Sequence, residues 1–240
     1  MTLRMANPQP IWRVPRAAAV SRRMVLALAA YAAGRLTLAR AQAPGMCVLT
    51  PDSGEGPFYF DPSLVRVDIT DGQPGVPLAL AVQVLRAGDC ATLENARVDL
   101  WHADALGLYS GYERQSGVGG IDTRAAVGRS FLRGTQLTDA QGRVRFRTIY
   151  PSWYGARTPH LHFKVFLGGD QVVASQIFFP DAVNDRVFNE WEPYRQHVAK
   201  RRTRNAEDTF LRDEIGGVFC EAQDEPGGGL RATAVVVVRA

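Results

Sequence analysis

Alternating apolar and polar residues divide much of the chain into short segments that predict β-strands. The clearest is PLALAVQVL, residues 77–85, in which leucines and valines alternate with alanines and a glutamine. A period of two sends successive side chains to opposite faces, so this segment predicts a strand with one buried face. Similar runs are ARVDLWHAD, VRFRTIYP, HLHFKVFL and VVASQIFF, and the β-branched run ATAVVVVRA predicts a core strand.

Helical patterning is confined to VFNEWEPYRQHVAKRR, residues 187–202, where apolar residues recur loosely at helical spacing. Residues 113–130 have no periodicity and four glycines, which predicts a long loop. The glycines at 227–229 predict a flexible join before the last strand. Short strands at regular spacing, with little helix, predict an all-β fold of the sandwich or barrel type.

The basic residues are concentrated in the first 41 positions, which contain no acidic residue. The whole chain has a formal charge of +4, but without the arginines of this segment 21 basic residues remain against 24 acidic ones. The remainder is therefore slightly acidic, and no excess of positive charge favours a nucleic-acid partner. The seven arginines are Arg4, Arg13, Arg16, Arg22, Arg23, Arg35 and Arg40.

Residues 1–41 predict an export signal. Arg22 and Arg23 precede an apolar run, 24–33, that is too short to span a bilayer, and small residues follow near positions 41 and 43. The paired arginines resemble a twin-arginine signal, which predicts folded export to the periplasm or the extracellular space. The domain would then occupy residues 42–240, with no membrane association after signal removal. An ordinary amphipathic helix is the alternative.

Three cysteines, Cys47, Cys90 and Cys220, lie outside the signal, and none forms a CxxC pair. An exported chain permits one disulfide and one remaining thiol. Three buried, unreactive thiols are the alternative, and the sequence leaves both open.

The segment HLHFKVF carries two of the four histidines of the chain. On a strand, His160, His162 and Lys164 share one face, and the apolar residues between them share the other. The two imidazoles are thus close enough to bind one metal ion. An H-x-H pattern alone matches ordinary strand histidines more often than a metal site, and an isolated tyrosine usually packs in the core.

Together, WHADALGLY and WYGARTPHLH resemble the intradiol ring-cleavage dioxygenases, the family of catechol, protocatechuate and hydroxyquinol dioxygenases, and are closest to its secreted branch. CVLTPDSGEGPFY, LVRVDI, FLRGTQLTDAQGRVRFRTIYP and SQIFF extend the resemblance over most of residues 47–179. The positions that match the family signature are Asp99, Trp101, His102, Asp104, Gly107, Tyr109, Tyr154, Arg157, His160 and His162.

This resemblance implies a β-sandwich with a mononuclear, non-haem Fe(III) site, whose ligands are Tyr109, Tyr154, His160 and His162. It implies cleavage of a catechol-type ring between its two hydroxylated carbons with O₂, giving a cis,cis-muconate. Catalytic roles fall on three residues: Tyr154 as a base for a substrate proton, Arg157 as a stabiliser of negative charge, and Gln176 beside the O₂ pocket. Family members are often dimers or larger assemblies, which suggests a homo-oligomer by analogy.

The chemistry of the donors agrees with iron independently of the resemblance. Phenolates are hard anionic ligands that suit Fe(III), whereas two histidines with a carboxylate are typical of Fe(II) oxygenases. The ordinary pKa of tyrosine is near 10, so a strongly Lewis-acidic ion is needed to keep it ionised at neutral pH. The commonest alternative for Arg157 is a surface salt bridge.

Two other functions remain as alternatives. A non-catalytic β-sandwich binding module would need neither the two tyrosines nor the arginine. A zinc hydrolase or an Fe(II) extradiol enzyme would leave the tyrosines unexplained. His102 matches a non-ligand position of the signature and is predicted to be structural. Ala103 stands where the secreted branch often has cysteine, which puts a disulfide of Cys90 in doubt.

Overall fold

The computed structural model describes residues 47–61, 63–115, 122–197, 203–212 and 216–240. The predicted export signal, residues 1–41, lies outside this part of the chain. The predicted loop 113–130 contains one 3-10 turn, Thr123–Ala126, and its residues 116–121 lie outside the described part. No helix among the described residues has the length and apolar character needed to cross a bilayer.

Two mainly antiparallel sheets form the architecture. The first has strand order β4-β1-β9-β8 and the second β3-β2-β5-β6-β7. The strands are β1 Pro77–Arg86, β2 Arg97–Trp101, β3 Arg133–Leu137, β4 Arg143–Ile149, β5 His160–Leu167, β6 Asp170–Phe178, β7 Val218–Phe219, β8 Glu221–Asp224 and β9 Leu230–Val238. Side chains of both sheets meet in one apolar core. The prediction of an all-β sandwich is confirmed.

The alternating pattern of residues 77–85 determines which face of β1 is buried. Leu78, Leu80, Val82 and Val84 are each at most 1% exposed, and the residues between them are only partly buried. On β9 the prediction of a core strand holds in part, because its first six residues also alternate and Val235 is 45% exposed. The two strands pair in parallel at the centre of the first sheet.

The predicted helix over residues 187–202 is wrong in its position. The helix α1 spans Asp181–Glu190 and begins after Pro180, whose carbonyl accepts the N–H of Asn184. It ends before Pro193, which has no N–H to donate to a helical hydrogen bond. A 3-10 turn, Tyr194–His197, follows, and residues 198–202 lie outside the described part. A second short helix, α2, spans Thr209–Arg212.

The glycines at 227–229 form a tight turn rather than a flexible join. All three have positive φ, a conformation that costs glycine little. Glu225 donates its N–H to Gly229 and accepts from Gly228, which closes the hairpin between β8 and β9.

A disulfide joins Cys47 to Cys90, and Cys220 is buried as a free thiol. The doubt that Ala103 raised about Cys90 is therefore answered: Cys90 pairs across 43 residues of chain with Cys47. The bond ties the segment before β1 to the turn after β1. In that turn, Cys90 donates its N–H to the carbonyl oxygen of Arg86, the last residue of β1.

Removing this disulfide is expected to lower the free energy of unfolding by about 2–4 kcal/mol, the usual range for loops of this length. Urea unfolding of the Cys47→Ala/Cys90→Ala double variant measures the loss. A thiol reductant should shift the wild-type transition by the same amount and leave the double variant unchanged. Equal sensitivity of both proteins to the reductant would contradict the prediction.

Candidate metal centre

His160 and His162 point to the same side of β5, as their spacing predicts. Their Nε2 atoms lie 3.0 Å apart, and both side chains are 1% exposed. The apolar residues between and after them face the opposite sheet in the core. The alternative of ordinary, half-exposed strand histidines does not hold, because two imidazoles with adjoining nitrogens are buried together.

The tautomer of His160 is set by the main chain. Its Nδ1 lies 2.6 Å from the carbonyl oxygen of Thr158, and a carbonyl can only accept, so Nδ1 carries the proton. Nε2 therefore holds a free lone pair directed into the cluster. Such a second hydrogen bond is the usual way in which a metal-binding imidazole is oriented.

A tight turn after β2 delivers Tyr109. Asp104 Oδ1 accepts the N–H groups of Leu106 and Leu108, each at 2.8 Å, and Gly107 adopts positive φ. Gln115 then fixes the backbone of Tyr109 from both sides, accepting its N–H at 2.7 Å and donating to its carbonyl at 2.7 Å. These hydrogen bonds fix the backbone where the phenol enters the site.

Tyr154 comes from the connection between β4 and β5. Its carbonyl accepts the N–H of Arg157 at 3.0 Å, which folds the loop into a turn just before the histidines. Its ring lies 5.2 Å from that of Tyr109 and 5.5 Å from that of His160, between centroids. Tyr109 in turn lies 6.1 Å from His162. The four residues predicted as ligands thus form one buried cluster from three chain segments.

An aromatic layer closes the cluster. Phe58 stacks on Tyr109 at 4.6 Å and meets the edge of Tyr154 at 5.8 Å. Trp101, which pairs with His162 across β2 and β5, stacks on that imidazole at 5.1 Å. Tyr59 covers Trp101 and hydrogen-bonds Asp99 at 2.9 Å. Water is therefore largely excluded around the donors.

Two polar atoms of these residues are buried without a hydrogen-bond partner among the described residues: the hydroxyl oxygen of Tyr109, and Nδ1 of His162 on the far side of the ring from the Nε2 atom that meets His160. An unsatisfied buried polar atom costs stability and needs a reason. Burial raises the pKa of Tyr109 well above its ordinary value, and the neighbouring Tyr154 adds to this rise. A phenol in such a place ionises only beside a strongly charged cation, so the cluster fits a metal ion.

The histidines suit the same purpose. Burial lowers the pKa of both His160 and His162 well below the ordinary value, with Arg157 contributing for each. Neutral imidazoles are the form that binds metal. Within the described part of the chain, no group of three His, Cys, Asp or Glu residues is placed to share an ion. The donor set is therefore two phenols with two imidazoles, unlike the facial triad of Fe(II) oxygenases.

Arg157 and Gln176 lie next to this cluster and contact each other. Gln176 is directly opposite His162 in the β5–β6 register, and its Oε1 accepts a hydrogen bond from Nη2 of Arg157. The arginine does form a salt bridge, but with the fully buried Asp208 at 3.0 Å rather than at the surface. The guanidinium is thus held at the edge of the site.

Sequence reasoning missed Asp208 and the ring of Phe210, which covers the guanidinium at 4.0 Å. Both lie on the segment 203–212, which contains helix α2, about fifty positions after Arg157. No periodicity or motif marks them, so only the fold could reveal the contact.

His102 is structural in the fold, as predicted. Its Nδ1 bonds the carbonyl oxygen of Ala103 at 2.8 Å and its Nε2 bonds the hydroxyl of Thr148 at 2.7 Å. Both nitrogens are therefore used within the protein. Burial lowers the pKa of this imidazole to about 4, against the opposing effect of its bond to Ala103.

This depressed pKa predicts a pH dependence of stability in the metal-free protein. Below pH 6.5 the unfolded chain binds a proton at His102 that the folded chain does not, so stability falls as the pH decreases toward 4. The His102→Gln variant has no imidazole at this position, so its unfolded chain cannot bind this proton. Between pH 7.5 and 4.5 the wild type is expected to lose about 2–3 kcal/mol more than the variant in urea unfolding. Parallel losses in the two proteins would refute the assignment.

Comparison with known proteins identifies the family of this chain. The dioxygenase family model matches residues 55–211. A solved dioxygenase structure superposes with a TM-score of 0.70 at 28% identity, and an intradiol ring-cleavage dioxygenase from Tetranychus urticae with 0.68 at 27%. In both cases 80% of this chain and 95% of the other chain are covered.

Among curated relatives, catechol 1,2-dioxygenase of Acinetobacter baylyi is 27% identical over 151 residues, which are 53% of this chain and 45% of that protein. The chain spans about half the length of the curated relatives it matches. The family match covers well over half of the chain and includes all four clustered residues. This chain belongs to the intradiol ring-cleavage dioxygenase family.

Proposed function

We propose that this protein cleaves the aromatic ring of a catechol-type substrate between its two hydroxylated carbons. Both atoms of O₂ enter the product, a cis,cis-muconate, at a mononuclear non-haem Fe(III) centre. The observation that carries the proposal is the buried cluster of two phenols and two imidazoles, whose Nε2 atoms lie 3.0 Å apart. Family membership supports ring cleavage, and the donor set supports the metal.

Tyr109, Tyr154, His160 and His162 would hold the iron. Bound Fe(III) supplies Lewis acidity that activates a coordinated catecholate toward O₂. The two phenolates offset much of the positive charge of the ion and favour its ferric state. The protonated Nδ1 of His160, fixed by Thr158, keeps that imidazole in the orientation which presents Nε2.

The two tyrosines differ in their surroundings, and this difference supports different roles for them. Tyr109 is 0% exposed beneath Phe58, whereas Tyr154 is 8% exposed. Tyr154 is therefore the phenol that a substrate reaches more readily, and we assign to it the release of its contact and the acceptance of a substrate hydroxyl proton on Oη. Tyr109 stays in place as the permanent donor.

Arg157 supplies the fixed positive charge. Its guanidinium, held by Asp208 and Gln176, stabilises negative charge that develops on the bound substrate. A preorganised cation in a site that excludes water acts strongly, because no solvent has to reorganise around it. The aromatic layer of Phe58, Tyr59 and Trp101 provides this exclusion.

A visible absorption spectrum tests the proposal. After ferric loading, the purified protein should show a tyrosinate-to-iron charge-transfer band. Anaerobic addition of catechol should move that band to longer wavelength. Admission of air should then consume O₂ in equal amount to the catechol. A protein that holds no iron after ferric reconstitution, and consumes no O₂, would favour the non-catalytic binding module instead.

A further inference from the structure

Asp208 is a carboxylate with no exposed surface, and most of its side-chain hydrogen bonds go to Arg157 and Thr158, next to the candidate site. Its oxygens accept Nε of Arg157 at 3.1 and 3.0 Å and the N–H of Thr158 at 2.8 Å. It also accepts the N–H of Phe210 at 2.9 Å, which begins helix α2. A buried charge is costly unless it is paired and hydrogen-bonded, and here four donor contacts satisfy it.

Through Arg157 this carboxylate controls the direction of the guanidinium. Asp208 occupies Nε, Gln176 occupies one hydrogen of Nη2, and Phe210 covers one face of the plane. These contacts fix the plane of the guanidinium beside Gln176, which lies opposite His162 in the sheet.

Through Thr158 the same carboxylate reaches a metal ligand. The N–H of Thr158 is held by Asp208, and the carbonyl oxygen of Thr158 fixes Nδ1 of His160 at 2.6 Å. The hydroxyl of Thr158 bonds Asn205 at 2.8 Å, and Asn205 bonds the carbonyl of Phe179 at 2.9 Å. The segment 203–212 is therefore anchored to the sheet while it holds Asp208.

We infer that Asp208 is a positioning residue for the proposed ring cleavage: its carboxylate fixes the guanidinium of Arg157 and, through Thr158, the imidazole of His160. The inference rests on the proposed function. It assigns Asp208 no contact with the substrate. Outer partners of this kind typically contribute about 10–100-fold to activity or metal affinity.

Asp208→Asn tests the inference, because it keeps the size of the side chain and removes its charge. Turnover per bound iron is expected to fall about 10–100-fold, while KM for catechol changes less than about threefold, since binding through the iron is retained. The charge-transfer band per iron should stay, as all four ligands remain. Asp224→Asn, which breaks an exposed ion pair with Arg186, is the matched control and should leave every value unchanged.

A double-mutant cycle separates positioning from general stability. If Asp208 acts largely through Arg157, the loss caused by Asp208→Asn should be at least fivefold smaller in an Arg157→Ala background than in the wild type. Asp208→Glu restores the charge at a displaced position and should recover part of the lost turnover. If Asp208→Asn does not fold, the turnover per bound iron of Asp208→Glu is compared with that of the wild type instead.

The outcomes distinguish a failure of the role inferred for Asp208 from a failure of the proposed ring cleavage. An active wild type whose Asp208→Asn variant keeps its turnover per iron within twofold, losing only stability, would overturn the inference and leave the proposed function intact. If Asp208→Asn lowers turnover per iron by the same factor in the wild type and in the Arg157→Ala background, Asp208 does not act through Arg157. A wild type that binds iron but consumes no O₂ with any catechol would overturn the proposed function and this inference with it.

Discussion

Tyr109→Phe is expected to remove nearly all ring cleavage and yet to leave the metal-free protein as stable as the wild type or more so. Its hydroxyl is buried without a hydrogen-bond partner among the described residues, and such a group costs about 1–3 kcal/mol. Removing it relieves that cost. In the proposed iron centre the same change would remove one of two anionic donors, so turnover should fall by about 10³-fold or more, as expected when several kcal/mol of Lewis-acid stabilisation are lost.

The two tyrosines should respond differently. Phe58 closes the position of Tyr109 completely, so water cannot easily replace its phenolate, and Tyr109→Phe should lower the iron content of the protein. Tyr154 is slightly exposed, so water can take its place. Tyr154→Phe should therefore keep more iron and lose turnover. Iron content, the charge-transfer band and O₂ uptake per iron measure these differences.

Tyr194→Phe is the matched control for loss of a buried phenol. Its hydroxyl donates to the carbonyl of Tyr150 at 2.6 Å and accepts the N–H of Val76 at 3.2 Å, away from the cluster. This variant should lose about 1–3 kcal/mol of stability and keep its iron and turnover. If metal-free Tyr109→Phe is destabilised as much as Tyr194→Phe, the hydroxyl of Tyr109 is a structural group and the prediction fails.

The strand pattern could be read from the sequence where one face is buried and the other is not. On β1 and β5 the period of two predicted which residues share a face, and the structure confirms that His160 and His162 do so. The turn before Tyr109 likewise has a local basis in the sequence, because Asp104 and Gly107, which form it, are residue types typical of such turns. Local chemistry was sufficient in each of these cases.

Long-range contacts could not be read in the same way. Asp208 meets Arg157 because the segment 203–212 packs beside the residues just before β5. Neither residue carries a local signal for this contact. The pairing of Cys47 with Cys90 likewise depends on how the first described residues run along the sheet. The helix was misplaced because loose apolar spacing continued past Pro193, where the backbone cannot stay helical.

Arg157→Ala is expected to combine a catalytic and a structural loss that can be measured separately. Turnover per bound iron should fall about 10²–10³-fold, the usual cost of removing one preorganised charge-stabilising group. The free energy of unfolding should fall by about 3–5 kcal/mol, because the buried carboxylate of Asp208 loses its partner. Urea unfolding and O₂ uptake normalised to iron give the two values.

Arg157→Lys separates these two losses. An ammonium keeps the charge beside Asp208, so most of the stability should return, but it cannot reach Asp208 and Gln176 together with the planar geometry of a guanidinium. Turnover should therefore stay clearly below that of the wild type. Arg147→Ala breaks an exposed pair with Asp68, which is worth less than about 1 kcal/mol, and should change neither value. Full turnover per iron in Arg157→Ala, with its stability lost, would show that the buried ion pair is the whole role of this arginine.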